Sequence, residues 1–465
     1  MKLKTTKIMS MCLAIGGVLA IEGAKAQESF VPSGNLWGYA FGDYAFKSHN
    51  DTAQRGGGNV QYAGFNGGAN STAGKIGALN TTPVSTPKAG TGATQVPANY
   101  QENAFAIRRV YLGYDYQFAP NFTAQVVLAN EQNEDAGGKN TMYVKYANVK
   151  WSNFIKNQDL VIGQYQTCSF ATPYGTEPLW SYRSVERTIM DLHNIDGSTD
   201  MGASLQGKLW VAGGAPDSSR PNMIGYFLQV GNNNSAVPSA SNFKKVRLNL
   251  YGTFLQRNLT VGLYGDLMTT NNSSTKTATG NSTMKAYVSY KSEWFRVGFE
   301  VFEQMNKNSD IYQAYSNGKP VAGAVNDTAT GVQMGWSVFA SGQILKNKLS
   351  IFARYDMYNP DTKWNINNVY SKAYSAITGS NLTYGTFYTQ SFLTAGLDWT
   401  PNARFHIMPN IWYNAYSSMQ TTTLSGGEGS AYGTRVKNDN DMVYRVTFYF
   451  LFNQNKKVSN NGMMN

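Results

Sequence analysis

Seven side chains that can carry charge or move protons fall within one stretch, 168–198: Glu177, Arg183, Glu186, Arg187, Asp191, His193 and Asp196. The whole chain has 465 residues, and only 14% of them are charged. Such a set suits two chemistries. One is hydrolysis, for which Ser184, His193 and Asp191 supply a nucleophile, a base and an orienting acid, but no G-x-S-x-G elbow surrounds the serine. His406, with Asp398 before it, is an equally unspecific pair. The other is electrostatic: arginines and carboxylates facing each other across an opening can sort solutes by charge without any covalent step. No cofactor or metal is expected. Cys168 is the one cysteine left beyond the leader, and His49, His193 and His406 lie far apart in the sequence.

The surrounding chain decides between the two. Residues 1–26 read as a secretory leader: Lys2, Lys4 and Lys7 precede an apolar core from Ile8 to Ile21, and Ala24-Lys25-Ala26 supplies a cleavage site. That core, about 14 residues, is too short to cross a bilayer as a helix. Removing the leader lowers the net charge from +11 by three, to +8. The basic residues are scattered singly, so anionic solutes or lipid surfaces are the expected partners and nucleic acid is not. An ordinary soluble domain is about 25% charged; here 30 tyrosines and 46 glycines stand in place of charge. Tyrosine and tryptophan concentrate where an apolar wall meets water.

Alternation with period two recurs along nearly the whole mature chain, with no sustained helical period. Sixteen strands are expected near 35–47, 104–118, 121–131, 141–151, 158–167, 199–211, 222–232, 243–255, 258–268, 283–291, 293–304, 332–343, 347–358, 388–400, 403–415 and 441–452. In 243–255, Val246, Leu248 and Leu250 share one face and Lys245, Arg247 and Asn249 the other; 35–47 and 141–151 alternate too poorly to assign faces. Short and long connections alternate, and the long ones follow the odd strands. This predicts an all-β fold, a transmembrane antiparallel barrel in the bacterial outer membrane over 27–452, with short periplasmic turns, long external loops and a periplasmic tail, 453–465. The long connection 48–103 is low in complexity and reads as an external loop. The stretch 168–198 becomes the third external loop and the candidate pore constriction, carried by Arg183, Glu186, Arg187 and Asp191. The polar faces place Arg109, Lys208, Lys245, Arg247, Lys285, Arg296, Arg354, Arg404 and Arg445 on the lumen wall. Asp115, Asp266, Glu300, Asp356 and Asp398 oppose them, which predicts a net basic lining.

Arg183, Glu186-Arg187 and Asp191, after Pro173-Tyr174-Gly175, resemble the third loop of Gram-negative outer-membrane porins, and the Glu186-Arg187 pair resembles a motif of the phosphate-selective (O and P type) porin family. That resemblance implies a loop folded into the lumen, conduction of anions past arginines and lysines, and a homotrimer embedded in outer-membrane lipid and lipopolysaccharide. The loop departs from the family in carrying more acids than arginines, and no dense basic cluster lies near it in sequence. The expected function is therefore passive diffusion of small hydrophilic solutes with a mild preference for anions such as phosphate, without enzymatic chemistry. Substituting Arg183 or Arg187 is expected to alter anion preference, and removing Glu186 or Asp191 to raise it. A sugar-specific porin is the main alternative, with Tyr251, Tyr264, Tyr287, Phe352, Trp412 and Tyr449 as an aromatic track. A barrel enzyme and a surface adhesin are the others.

Overall fold

In a computed structural model, residues 30–49, 102–131, 141–212, 222–233, 243–271, 278–312, 327–363, 389–417 and 438–453 are described, with the pairs 315–316, 319–320, 382–383, 419–420, 423–424 and 435–436. The expected leader 1–26, most of the expected external loop 48–103 and the expected tail after Asn453 lie outside the described residues.

Sixteen antiparallel strands close into one barrel. They are β1 (Ser33–His49), β2 (Glu102–Ala119), β3 (Phe122–Asn130), β4 (Tyr143–Ile155), β5 (Gln158–Gln166), β6 (Thr199–Val211), β7 (Met223–Gly231) and β8 (Lys245–Phe254). The second half comprises β9 (Leu259–Asn271), β10 (Ala278–Lys291), β11 (Phe295–Tyr312), β12 (Asp327–Leu345), β13 (Leu349–Asn359), β14 (Gln390–Asn402), β15 (Phe405–Tyr416) and β16 (Asp439–Asn453). Each strand pairs with its neighbours in sequence, and β1 closes on β16 from Trp37↔Asn453 to His49↔Met442. Closure leaves no edge strand unpaired. The tight turns use residues that tolerate a left-handed backbone, such as Asn157 (φ 64°) and Asn347 (φ 59°).

The barrel is apolar outside and polar inside. On β8, Val246, Leu248 and Leu250 are exposed while Lys245, Arg247 and Asn249 are buried. On β16, Tyr444, Val446, Phe450 and Phe452 point out, and Arg445 and Thr447 point in. A soluble sandwich has the opposite arrangement, so these faces suit a wall between lipid and a polar interior.

The two strands without a legible alternation have separate reasons. β1 turns Trp37, Phe41, Asp43 and Lys47 inward. Its outward positions include Gly38 and Gly42, where a Cβ would strike the rings of Phe452 and Phe448. Aromatic residues therefore face inward while glycines interrupt the outward row, which weakens the hydropathy signal. In β4 the register slips by one residue, Tyr146 opposing Val127 and Val144 opposing Leu128, so Lys145 is the extra residue of a bulge. A second bulge leaves Arg108 without an opposite residue between Phe41↔Arg109 and Gly42↔Ile107. Adjacent residues then face inward together: Arg108 with Arg109, and Lys145 with Tyr146.

Strands β10, β11 and β12 run beyond the expected segments on the long-loop side, to Ala278, Tyr312 and Asp327. The added residues are mostly polar. Ladder hydrogen bonds continue there after the lipid-facing pattern has ended.

Candidate functional site

The stretch 168–198 is described throughout, and its ends meet: Thr167 N donates to Ser198 O at 3.1 Å. It holds two short helices, α1 (Thr176–Trp180) and α2 (Ile189–Leu192). Neither is long enough to leave a helical period in the sequence. Its apolar side packs in two clusters on inward-facing side chains. Phe170, Ile189, Met190 and Ile195 join Phe227, Tyr264 and Phe302; Trp180 and Val185 join Phe339, Phe352 and Met408. Cys168 is fully buried in the first cluster, which pushes its thiol pKa up and leaves it a packing residue.

Wall side chains bind this stretch largely through its main chain. Arg296 Nη1 donates to Pro178 O (3.1 Å) and Leu179 O (3.0 Å), Gln304 to Ile195 O (2.8 Å), and the Tyr287 hydroxyl to Tyr174 O (2.9 Å). Lys285 reaches Ser169 O, Arg354 reaches Arg187 O, and Arg108 reaches Ser184 O and Val185 O. Short helices leave carbonyls without intrahelical partners. Arg296 meets two such carbonyls, those of Pro178 and Leu179 in α1.

Of the expected constriction residues, Arg183 faces the β2–β4 wall. Its Nε pairs with Glu177 at 2.7 Å, Nη1 donates to the Tyr111 hydroxyl at 2.7 Å, and Nη2 lies 3.5 Å from Glu131 and 3.6 Å from Asp191. Burial and the nearby Asp191 push the Glu177 carboxyl pKa up, against the pull of Arg183. Arg187 lies 3.7 Å from Asp191 and 3.9 Å from Glu186. Glu186 itself is 0% exposed: its Oε2 accepts from Trp412 Nε1 and its Oε1 from Arg187 N, both at 2.9 Å. Glu186 and Arg187 thus stay within ion-pair distance, with the acid also anchored on Trp412 and the base also beside Asp191.

The wall cations are met by carboxylates. Arg109 pairs with Glu131 (2.9 Å), Lys245 with Asp196 (3.2 Å) and Asp266 (3.0 Å), Arg247 with Asp196 (2.9 Å) and Asp200 (2.7 Å), Lys285 with Glu300 (3.7 Å), and Arg354 with Asp356. Arg445 donates to Asn410 at 2.8 Å. Lys208 is exposed toward the short-turn end of β6. Arg404 is displaced from its expected place: β15 begins at Phe405, so Arg404 lies exposed in the turn from β14. The expected net basic lining omitted Lys47, Arg108 and Lys145 as well as Asp43, Glu131, Asp200 and Asp441, all buried or partly buried and all ion-paired or hydrogen-bonded. Bulges hide Arg108 and Lys145 from a period-two reading, and Glu131 stands one residue past the end of β3.

The residue types for hydrolysis are not brought together. Ser184 Oγ approaches Met408 Sδ at 3.9 Å, whereas the His193 ring stacks on Tyr358 at 3.6 Å. Burial, with Arg187 and Arg354 nearby, lowers the His193 pKa to about 3. An unfolded histidine protonates near pH 6.5 (roughly), so the unfolded chain binds this proton first as pH falls. Stability from neutral His193 is full above that pH and is lost on going down toward pH 3. The urea midpoint of the wild type should therefore fall relative to His193→Gln between pH 7 and pH 4; a constant difference would contradict it.

No protein-family model matches the sequence, and no curated protein matches it. Among solved structures, the outer membrane channel DcaP of Acinetobacter baumannii matches with a TM-score of 0.50 at 10% identity, over 92% of this chain and 100% of that one. The likeness is one of fold, the closed antiparallel barrel. An anion-selective porin from Comamonas acidovorans matches at TM-score 0.48 and 10% identity, over 91% and 100% of the two chains. OmpF of Salmonella typhi matches at 0.42 and 13%, over 90% and 97%.

Proposed function

We propose that this chain is an outer-membrane porin, a passive channel for small hydrophilic solutes with a mild preference for anions such as phosphate. The observation that carries the reading is the closed barrel with an apolar exterior and a charged interior. The stretch 168–198 acts in it as the constriction loop. Arg183, Glu177, Arg109 and Lys145 face one another beside the β2–β4 wall, while the two apolar clusters occupy the side of β5 to β15. Charge preference is mild because carboxylates stand against most of the wall cations, which weakens the field on a passing ion. No covalent step is involved, and a homotrimer in outer-membrane lipid is the expected assembly.

Sugar specificity is less well supported. The rings that would form an aromatic track are engaged by the loop: Tyr251 stacks on Tyr174 at 4.3 Å, Phe352 on Tyr182 at 4.4 Å, and Trp412 donates to Glu186.

Single-channel recording in planar bilayers tests the function. The wild type should conduct with a reversal potential slightly favouring anions, and Arg183→Gln should reduce the anion-to-cation permeability ratio by roughly 30-fold at most, about fivefold for each of the two ions in opposite directions, as for one unit charge ~4 Å away in water. Absence of conductance would overturn the porin reading; unchanged selectivity in R183Q would remove Arg183 from the constriction.

A further inference from the structure

Glu131 directly follows β3, and its carboxylate is met by donors from β2, β4 and the loop. Arg109 Nη1 lies at 2.9 Å, Lys145 Nζ at 2.6 Å, the Tyr143 hydroxyl at 2.5 Å and Arg183 Nη2 at 3.5 Å, and the Tyr111 hydroxyl also donates. Three cations and two phenols around two oxygens form the donor set by which proteins recognise free oxyanions. The donors are also held by partners other than Glu131. Arg109 reaches the Tyr111 hydroxyl at 3.2 Å, Lys145 reaches Ser198 Oγ at 3.2 Å, and Arg183 reaches Glu177 at 2.7 Å. The cradle would keep its shape if the carboxylate left. The Glu131 side chain retains 17% exposure, so water reaches it.

We propose that this cradle is an oxyanion-binding site of the channel, for a solute carboxylate or phosphate, and that Glu131 occupies it as a tethered surrogate. The inference rests on the porin reading above and deepens it. A solute oxyanion takes the place of the Glu131 carboxylate, which swings out on the strand end; when the solute moves on, Glu131 returns. A tethered carboxylate competes at a high effective concentration, because it cannot diffuse away. Solutes are therefore held weakly and released readily, as passive transport requires. The site depends on a residue that the linear pattern hides, since Lys145 is the extra residue of a bulge.

The test is current block of the reconstituted full chain by inorganic phosphate and, separately, by acetate. In Glu131→Asp the charge is kept, but the carboxylate is shorter by one methylene and cannot fill the cradle. Saturable block by at least one of the two anions should appear at a concentration roughly tenfold lower than in the wild type, equivalent to about 1.4 kcal/mol. Glu131→Gln should behave likewise, and adding Lys145→Met to it should abolish the gain. Stronger block by phosphate than by acetate would identify the phosphate as the preferred ligand, and the reverse the carboxylate. A conducting E131D channel with the wild-type block curve overturns the site while leaving the porin reading intact, and so does a gain that persists with K145M. A wild type that does not conduct overturns the porin reading, and this inference with it.

Discussion

Asp196→Ala is expected to be among the most destabilising single changes in the barrel, at about 3 to 5 kcal/mol, the usual cost of removing one partner from a buried ion pair. Asp196 sits at the end of the loop and is 5% exposed. Its carboxylate accepts from Arg247 Nε and Nη2, both at 2.9 Å, and from Lys245 at 3.2 Å, with the Tyr264 hydroxyl at 3.3 Å. Burial works against its ionisation, yet Arg247 and Lys245 hold its pKa well below the usual carboxylate range. Without it, two buried cations share Asp200 and Asp266 alone. The measurement is the temperature at which the unboiled protein loses its folded gel mobility, compared between D196A and wild type. Combining D196A with Arg247→Met should recover part of the loss, because the uncompensated charge leaves as well. If D196A melts with the wild type, Asp196 does not fasten the loop.

Glu186→Ala should give a pore with larger and noisier single-channel steps, and about 1 to 3 kcal/mol less stability, the cost of removing an acceptor from buried donors. The effect comes from position more than from field. Glu186 is sealed from solvent, its side chain takes the Trp412 indole, and its carbonyl takes the Trp180 indole at 2.9 Å. These bonds fix the turn between α1 and α2 against β15. The sequence alone suggests that removing Glu186 raises anion preference. The geometry predicts instead that the loop loses its seat. Glu186→Gln keeps an acceptor for the indole and should be milder in both readouts. A purely electrostatic role would make E186Q as severe as E186A and would shift the reversal potential without altering step size.

Much of the architecture is legible in the linear chain because each strand meets two different environments. Lipid on one side and a polar interior on the other impose period two, so the faces of 243–255 or 441–452 can be read from Val246, Arg247, Arg445 and Val446 alone. The alternating lengths of the connections then order the strands, and all sixteen are found where the pattern puts them, within a few residues at most ends. The pattern fails at β1, where aromatic residues face inward and glycines interrupt the outward row, and at β4, where a bulge breaks the period.

The charge of the interior is not legible in this way. Arg183, Glu186, Arg187 and Asp191 stand out in the sequence as one charged group, and the tertiary structure keeps them within ion-pair distance of one another while adding partners that no local pattern records: Glu177 and the β2–β4 wall for Arg183, and Trp412 in β15 for Glu186. The sequence by itself determined the barrel, its two faces and the charge density of one loop, because those follow from local pattern and connection length. Only the tertiary structure decided which charges neutralise which. Contacts such as Asp196 with Arg247 and Glu131 with Lys145 depend on closure, on register and on single-residue bulges, and no local period records any of the three.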